Sequence, residues 1–200
     1  MYRISLLILF LLALSSCEKK ESVFSKNPDF KIIIQPYSDI SDESVQTVYE
    51  NLKKITPHVT LLKKINIPKE AYYPPRNRYR ADSLIKFLAK NAKNDEVFLG
   101  ITSKDISVKK GTESDWGVMG LGYRPGKSCV ISSFRLSKKN KDEQLFKVAI
   151  HELGHTQGLP HCPEKFCFMR DAEGGNPTDE EKEFCKKCKN FLIKKGWKIS

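Results

Sequence analysis

Apolar residues fall along this chain in two rhythms, one of strands and one of helices. Phe30-Lys31-Ile32-Ile33-Ile34-Gln35 is an apolar, β-branched run ended by Pro36, and it predicts a buried strand. Val45, Val48, Tyr49, Leu52 and Ile55 then recur at helical spacing behind the acidic residues Asp42 and Glu43. They predict a helix over 41–56, stopped by Pro57. Residues 59–67, between Pro57 and Pro68, predict a second strand. Strand, helix, strand is a βαβ unit, so these strands are expected to run parallel. Residues 68–80 read as a surface loop with tyrosines turned inward, and 82–93 as a helix burying Leu84, Ile85, Phe87, Leu88 and Ala92. Residues 97–102 predict a strand covered on both faces, since polar residues hardly alternate there.

The second half is read in the same way. The polar stretch 104–115 predicts a loop. Residues 116–123 and 128–134 flank Arg124-Pro125-Gly126-Lys127 and predict a hairpin with a Pro-Gly turn. Gly117, Gly120 and Gly122 would weaken an interior strand, so their arm is expected at a sheet edge where another backbone can approach. Residues 137–156 predict a helix burying Leu145, Phe146, Ala149, Ile150 and Leu153. A last helix buries Phe184, Cys188, Phe191 and Leu192, and Thr178 with Glu181 has the spacing of a capping box at its start.

Composition narrows the class. A chain of 200 residues, 40% of them hydrophobic, suits one domain with a real core. The net charge of +11 raises nucleic acid as a partner, and Tyr72, Tyr73, Arg76, Arg78, Tyr79 and Arg80 interleave as a stacking platform does. That is one short segment without a repeat, and the lysines are scattered over polar faces. No nucleic-acid partner is expected; the charge reads as a solvated surface.

The N-terminus reads as targeting sequence. Arg3 precedes an apolar run over 4–14, too short to span a membrane. Leu14-Ser15-Ser16-Cys17 resembles a bacterial lipobox. Residues 1–16 are therefore expected to be a lipoprotein signal peptide, Cys17 the lipidated residue, 17–28 a tether and 29–200 the folded domain. An ordinary secretory signal is the alternative. The expected place is the bacterial cell envelope, lipid-anchored to the membrane and facing the periplasm or the surface.

The chemistry lies in His151-Glu152-Leu153-Gly154-His155-Thr156-Gln157-Gly158-Leu159-Pro160-His161. On a helix, His151 and His155 share one face and can reach one metal ion. Glu152 sits beside that ion as a candidate general base. Gly158 can break the helix with a positive φ and let His161 come round as third ligand. Three histidines leave a position for water, the pattern of a catalytic zinc. Chance is a poor competitor, because the chain has 4 histidines and three fall in this stretch.

The cysteines divide. Cys129 lies in an apolar run and reads as a small buried hydrophobe. Cys162 and Cys167, then Cys185 and Cys188, have the spacing of a structural zinc site. Disulfides are the alternative in an oxidising compartment.

Taken together, His151 to Cys162, Cys167-Phe168-Met169 and the closing Cys185/Cys188 pair are similar to the archaemetzincins, a branch of the metzincin zinc metallopeptidases. Leu99-Gly100-Ile101-Thr102, Asp105-Ile106, the glycine-rich arm and Ser133-Phe134-Arg135-Leu136 extend the likeness upstream, over roughly residues 30–195. The resemblance implies an α/β (α+β) fold: a twisted mixed sheet with an antiparallel edge strand, an active-site helix and a C-terminal helix. It implies catalytic zinc on His151, His155 and His161 with Glu152 as base, and a second, structural zinc on the four paired cysteines. It implies Met169 as the Met-turn residue under the metal, a role compatible with plain core packing. Gly117, Val118, Met119 and Gly120 would form the edge strand that takes a peptide or protein substrate. A monomer is expected. A non-catalytic zinc-binding lipoprotein that keeps the fold is the alternative, and Glu152 speaks against it.

Overall fold

The computed structural model describes residues 30–199. The expected signal peptide, Cys17 and the tether lie outside the described residues. Among these residues no helix is long and apolar enough to cross a membrane.

Two sheets and four α-helices make the fold of the described residues. The first sheet contains β1 (Lys31–Pro36), β2 (Val59–Leu61), β5 (Glu96–Thr102), β8 (Gly120–Gly122) and β9 (Ser128–Ser132). Its order is β2-β1-β5-β9-β8. The first four are mutually parallel, and β8 closes the edge antiparallel to β9. Ile32, Ile34, Leu99, Ile101, Cys129 and Ile131 face one side of it. There they meet α1 (Asp42–Ile55) and α3 (Lys141–Thr156) through Val45, Val48, Leu52, Leu145, Ala149 and Leu153. On the other face Val130 meets Leu84 and Ile85 of α2 (Ala81–Ala89). Helices on both faces account for the apolar, non-alternating strands. The hydroxyl of Ser41 caps α1 by accepting from the Ser44 amide (3.2 Å), and Ser44 Oγ donates to Asp142 in the first turn of α3 (2.6 Å). The fourth helix, α4 (Lys186–Lys194), buries Cys188 and Leu192.

The second sheet was not foreseen. The stretches expected as loops over 68–80 and 104–115 contribute β3 (Tyr72–Tyr73), β4 (Arg78–Arg80), β6 (Ile106–Lys110) and most of β7 (Glu113–Val118). These strands pair in the order β3-β4-β6-β7. They are short, and β7 has no fully buried residue, so the apolar signal that marks a strand is missing. Tyr72 is exposed rather than packed inward and lies against Tyr79, ring centroids 5.3 Å apart.

The sheet is held by charge. Asp105, just before β6, takes Nε and Nη2 of Arg135 at 2.8 and 2.9 Å, and Nε of Arg78 at 2.7 Å. Arg78 Nη1 then reaches Asp115 of β7 at 2.8 Å. Arg135 follows β9, so Asp105 joins the second sheet to the first.

Three further boundaries differ. The strand expected over 59–67 ends at Leu61, beyond which Ile65 makes a single bridge to Tyr37. The helix expected from 137 begins at Lys141, while the Ser137 amide donates to Gln144 Oε1 (2.8 Å). Thr178 does not start the last helix, which begins at Lys186. Its hydroxyl donates to Asn176 Oδ1 (2.6 Å) instead of capping.

Asp105→Ala leaves Arg135 without its carboxylate and Arg78 with Asp115 alone, and uncouples the sheets. The expected cost is about 3 kcal/mol, read as a lower denaturant midpoint in chemical unfolding.

Candidate metal sites and cleft

α3 ends in a turn that arranges everything after it. Gly158 has φ +107. Its amide donates to His155 O (2.9 Å), and the Leu159 amide donates to Gly154 O (3.1 Å). These two bonds make a Schellman turn, which an L-side chain at position 158 would strain. The chain leaves at a sharp angle, and His161 comes back over the helix face that carries His151 and His155.

The ligand atoms of the three histidines lie within 4.8 Å of one another. Each Nδ1 is already engaged. His151 Nδ1 donates to Phe168 O and His155 Nδ1 to Leu159 O, both at 2.7 Å. Because a carbonyl only accepts, both protons sit on Nδ1 and both Nε2 atoms carry the free lone pair. His161 Nδ1 pairs with Asp171 Oδ2 at 3.0 Å. Metal-binding histidines are commonly held in this way, by an oxygen acceptor on the other ring nitrogen that fixes tautomer and ring orientation. Burial, then the neighbouring His155, pulls His151 down to about 3, so this imidazole is neutral. The donor set fits a divalent ion such as zinc.

Glu152 is buried next to this cluster. Burial pushes its carboxyl up to about 8, opposed in part by a hydrogen bond from the Gly122 amide. The glycines of β8 make room for it. A Cβ on Gly120 would come within 2.6 Å of Glu152 Cγ, and one on Gly122 within 2.7 Å of the Glu152 carbonyl oxygen. Gly117 lies against the Arg135 guanidinium, where a Cβ would overlap it. The glycines thus answer to neighbours within the chain, not only to an incoming backbone. The arm expected as one strand also divides: Gly117 and Val118 end β7, and Gly120 begins β8.

Met169 is fully buried under the helix, its sulfur against Gly154, the residue before His155. Its carbonyl accepts from the Cys162 amide at 2.7 Å. Beyond it the thiols of Cys162, Cys167, Cys185 and Cys188 converge, all buried and within 4.8 Å of one another. Cys162 and Cys185 sulfurs are 3.6 Å apart. That is too long for a disulfide, and close to the roughly 3.8 Å that tetrahedral zinc with four sulfur ligands sets between them. The Cys185 and Met169 amides both point at Cys167 Sγ (3.3 and 3.5 Å), as donors do toward a thiolate. The four sulfurs fit one ion better than two covalent pairs. Cys129 is buried in β9, as expected.

Over the histidines opens a cleft of about 770 Å³. Gly117, Val118, Met119 and Gly120 line one side, His151, Glu152, His155 and His161 the floor, and the loop after Met169 the other side. Asp171, Arg135 and Glu181 also line it, and none of them was singled out for a role at the site from the sequence. No spacing marks them. Asp171 was legible only as an acid two residues past Met169.

Comparison with known proteins agrees with this geometry. The model of peptidase family M54 matches residues 12–194. The chain belongs to peptidase family M54. The archaemetzincin of Methanocaldococcus jannaschii is 31% identical over 180 residues, covering 85% of this chain and 97% of the relative. That of Archaeoglobus fulgidus is 32% identical over 163 residues, covering 79% and 96%. The crystal structure of the A. fulgidus archaemetzincin with malonate superposes with TM-score 0.69 at 30% identity, over 80% of this chain and 99% of that one. The Methanopyrus kandleri archaemetzincin gives 0.71 at 26%, over 86% and 98%. Membership in M54 brings the class of reaction with it, that of a zinc metallopeptidase.

Glu181 gives this M54 peptidase a pH-dependent stability. Burial raises its carboxyl from 4.5 to about 7 in the folded chain. The fold therefore holds the proton more tightly than the unfolded chain does. The contribution is full below about pH 4.5 and is lost as pH rises to about 7, in total on the order of 3 kcal/mol. Glu181→Gln is expected to flatten that part of the stability–pH curve, measured by urea unfolding between pH 4.5 and 7.5.

Proposed function

We propose that the cleft hydrolyses peptide bonds, with His151, His155 and His161 holding the catalytic zinc and Glu152 acting as general base. The observation that carries this is the state of the imidazoles: Nδ1 of each is engaged, and their ligand atoms converge beside the buried Glu152 carboxyl group. Zinc bound there supplies Lewis acidity, easing deprotonation of water and drawing charge from a scissile carbonyl. Glu152 takes the proton on a carboxylate oxygen, and the Gly122 amide orients it. The same oxygen returns the proton to the leaving amine. Gly120 and Gly122 leave the carboxylate the room it needs on the cleft side.

The substrate lies along the glycine-rich arm. β7 and β8 each end their sheet, so one edge of each is free of a neighbouring strand among the described residues. An extended peptide can add there by backbone hydrogen bonds. The Met119 carbonyl is already used, accepting from the Ser132 amide at 2.8 Å, which pins the arm where its two strands part. Cys162, Cys167, Cys185 and Cys188 hold a second, structural zinc that fixes the segment behind His161. Met169 serves as the packing support of the helix face that carries the ligands. The enzyme works as a lipid-anchored protein of the bacterial envelope, attached at Cys17, and acts as a monomer. The lipobox-like residues before Cys17 support the anchor.

A purely architectural zinc site is disfavoured by Glu152, which such a site has no use for. Glu152→Ala is expected to keep its zinc and lose about 100- to 10,000-fold in kcat on a mixed peptide library. Equal hydrolysis by the two proteins would overturn the reading. Metal analysis of the purified chain is expected to give two zinc per chain. One zinc, with no free thiol on denaturation apart from Cys129, would replace the second site by disulfides.

A further inference from the structure

One buried acid of the cleft has no part in that chemistry. Glu181 is 3% exposed and lines the cleft whose lining also includes Val148 and His151 of α3. Its surroundings are tied down. Lys147 Nζ donates to the Thr178 carbonyl at 2.9 Å, and Gln144 Nε2 to Asp179 Oδ1 at 2.7 Å. Asn176 Nδ2 donates to Gln144 Oε1 at 3.0 Å. The turn carrying Glu181 is thus stapled along α3, one helical turn and more before the histidines.

The carboxylate itself is left out of this network. Among the described residues no donor hydrogen-bonds it, although its capping-box spacing to Thr178 would have supplied a local one. Two cations act on it from a distance and are committed elsewhere: Lys147 pairs with Glu143 (2.8 Å) and Arg170 with Glu180 (2.6 Å). Burial raises its carboxyl to about 7 in spite of them. Its oxygens are not sealed in protein but open to the cleft, and holding the acid in that wall still costs part of its hydration. A cation arriving from the cleft would recover that cost, and the turn is already rigid enough to meet it.

The far rim helps to define the space. Trp116 of β7 reaches Gly174 in the loop after Met169, where a Cβ would come within 3.0 Å of the indole. The two sides of the cleft therefore touch over part of its length. With Val148 in its aliphatic lining and Glu181 among its acids, the cleft suits a long apolar stem that ends in a positive charge.

We infer that Glu181 determines specificity: it selects peptides that place a cationic group, a lysine or arginine side chain or a free N-terminal amine, in the cleft wall beside the histidine-bearing helix. This rests on the peptidase reading of the site. The basic side chain is the source the aliphatic wall favours.

The test compares wild type with Glu181→Gln on two sets of peptides. The first set is N-acetylated and carries lysine or arginine, or their neutral counterparts norleucine and citrulline, at each position. The second has free N-termini and no basic residue. Wild type is expected to prefer the acetylated basic peptides roughly ten- to a hundredfold in kcat/KM. Glu181→Gln is expected to lose that preference while cleaving neutral peptides as wild type does. A preference confined to free N-termini, and lost in Glu181→Gln, identifies the terminal amine as the cation. Identical profiles for the two proteins overturn the inference. Peptide binding in the Glu152→Ala background, with and without Glu181→Gln, reads the same preference without hydrolysis. If wild type cleaves nothing, the proposed reaction fails, and a charge preference in binding that depends on Glu181 still decides this point. A melting curve of Glu181→Gln at pH 7 checks that the fold is intact, which the loss of a buried ionisable group favours.

Discussion

The end of α3 is the constraint on which the site depends. A helix places His151 and His155 one turn apart, but it cannot place a third ligand on the same ion. The Schellman turn at Gly158 ends the helix and reverses the chain within three residues. His161 then stands over the other two histidines, and Cys162 follows it into the thiol cluster. One backbone conformation thus feeds two candidate metal sites. The Met169 segment closes the arrangement from below, since Phe168 O fixes the His151 ring and Met169 O holds the Cys162 amide.

The second organising feature is the crowding between α3 and β8. Glu152 has to be buried to lie beside the histidines, and burial alone favours its protonated form. β8 approaches closely enough for the Gly122 amide to reach the carboxylate, and this is possible only because positions 120 and 122 carry no Cβ. The same arm continues into β7, where Gly117 gives way to Arg135. Arg135 is held by Asp105, and Asp105 by Arg78. A line of contacts therefore runs from the second sheet to Glu152, and the position of the cleft wall follows from charges at some remove from the histidines.

Much of the fold was legible along the chain. The five-stranded sheet could be read because its strands are covered on both faces, which leaves unbroken apolar runs such as Ile32-Ile33-Ile34. The helices carry apolar stripes at their own period. The second sheet was missed because its strands are short and lean on arginine–aspartate pairs between β4, β6 and β7. Such pairs leave no periodic trace, and each residue reads as loop surface. Thr178 and Glu181 misled for a related reason. Spacing alone proposes a cap, while the nearby Asn176 offers Thr178 a better partner.

By itself the sequence determined the reaction class and singled out the three histidines as candidate ligands, because i, i+4 spacing on a helix and a glycine at its end are local facts of backbone geometry. It also carried the pairing of the cysteines into one group. Only the tertiary structure decided which atoms each imidazole leaves free, because the carbonyls that take the Nδ1 protons come from folding back the loop after the helix. It likewise decided why the arm is rich in glycine, since Glu152 and Arg135 reach it from distant parts of the chain. Asp171 and Glu181 entered the cleft in the same way. Their chemistry comes from burial and from neighbours far along the chain, which no spacing between residues expresses.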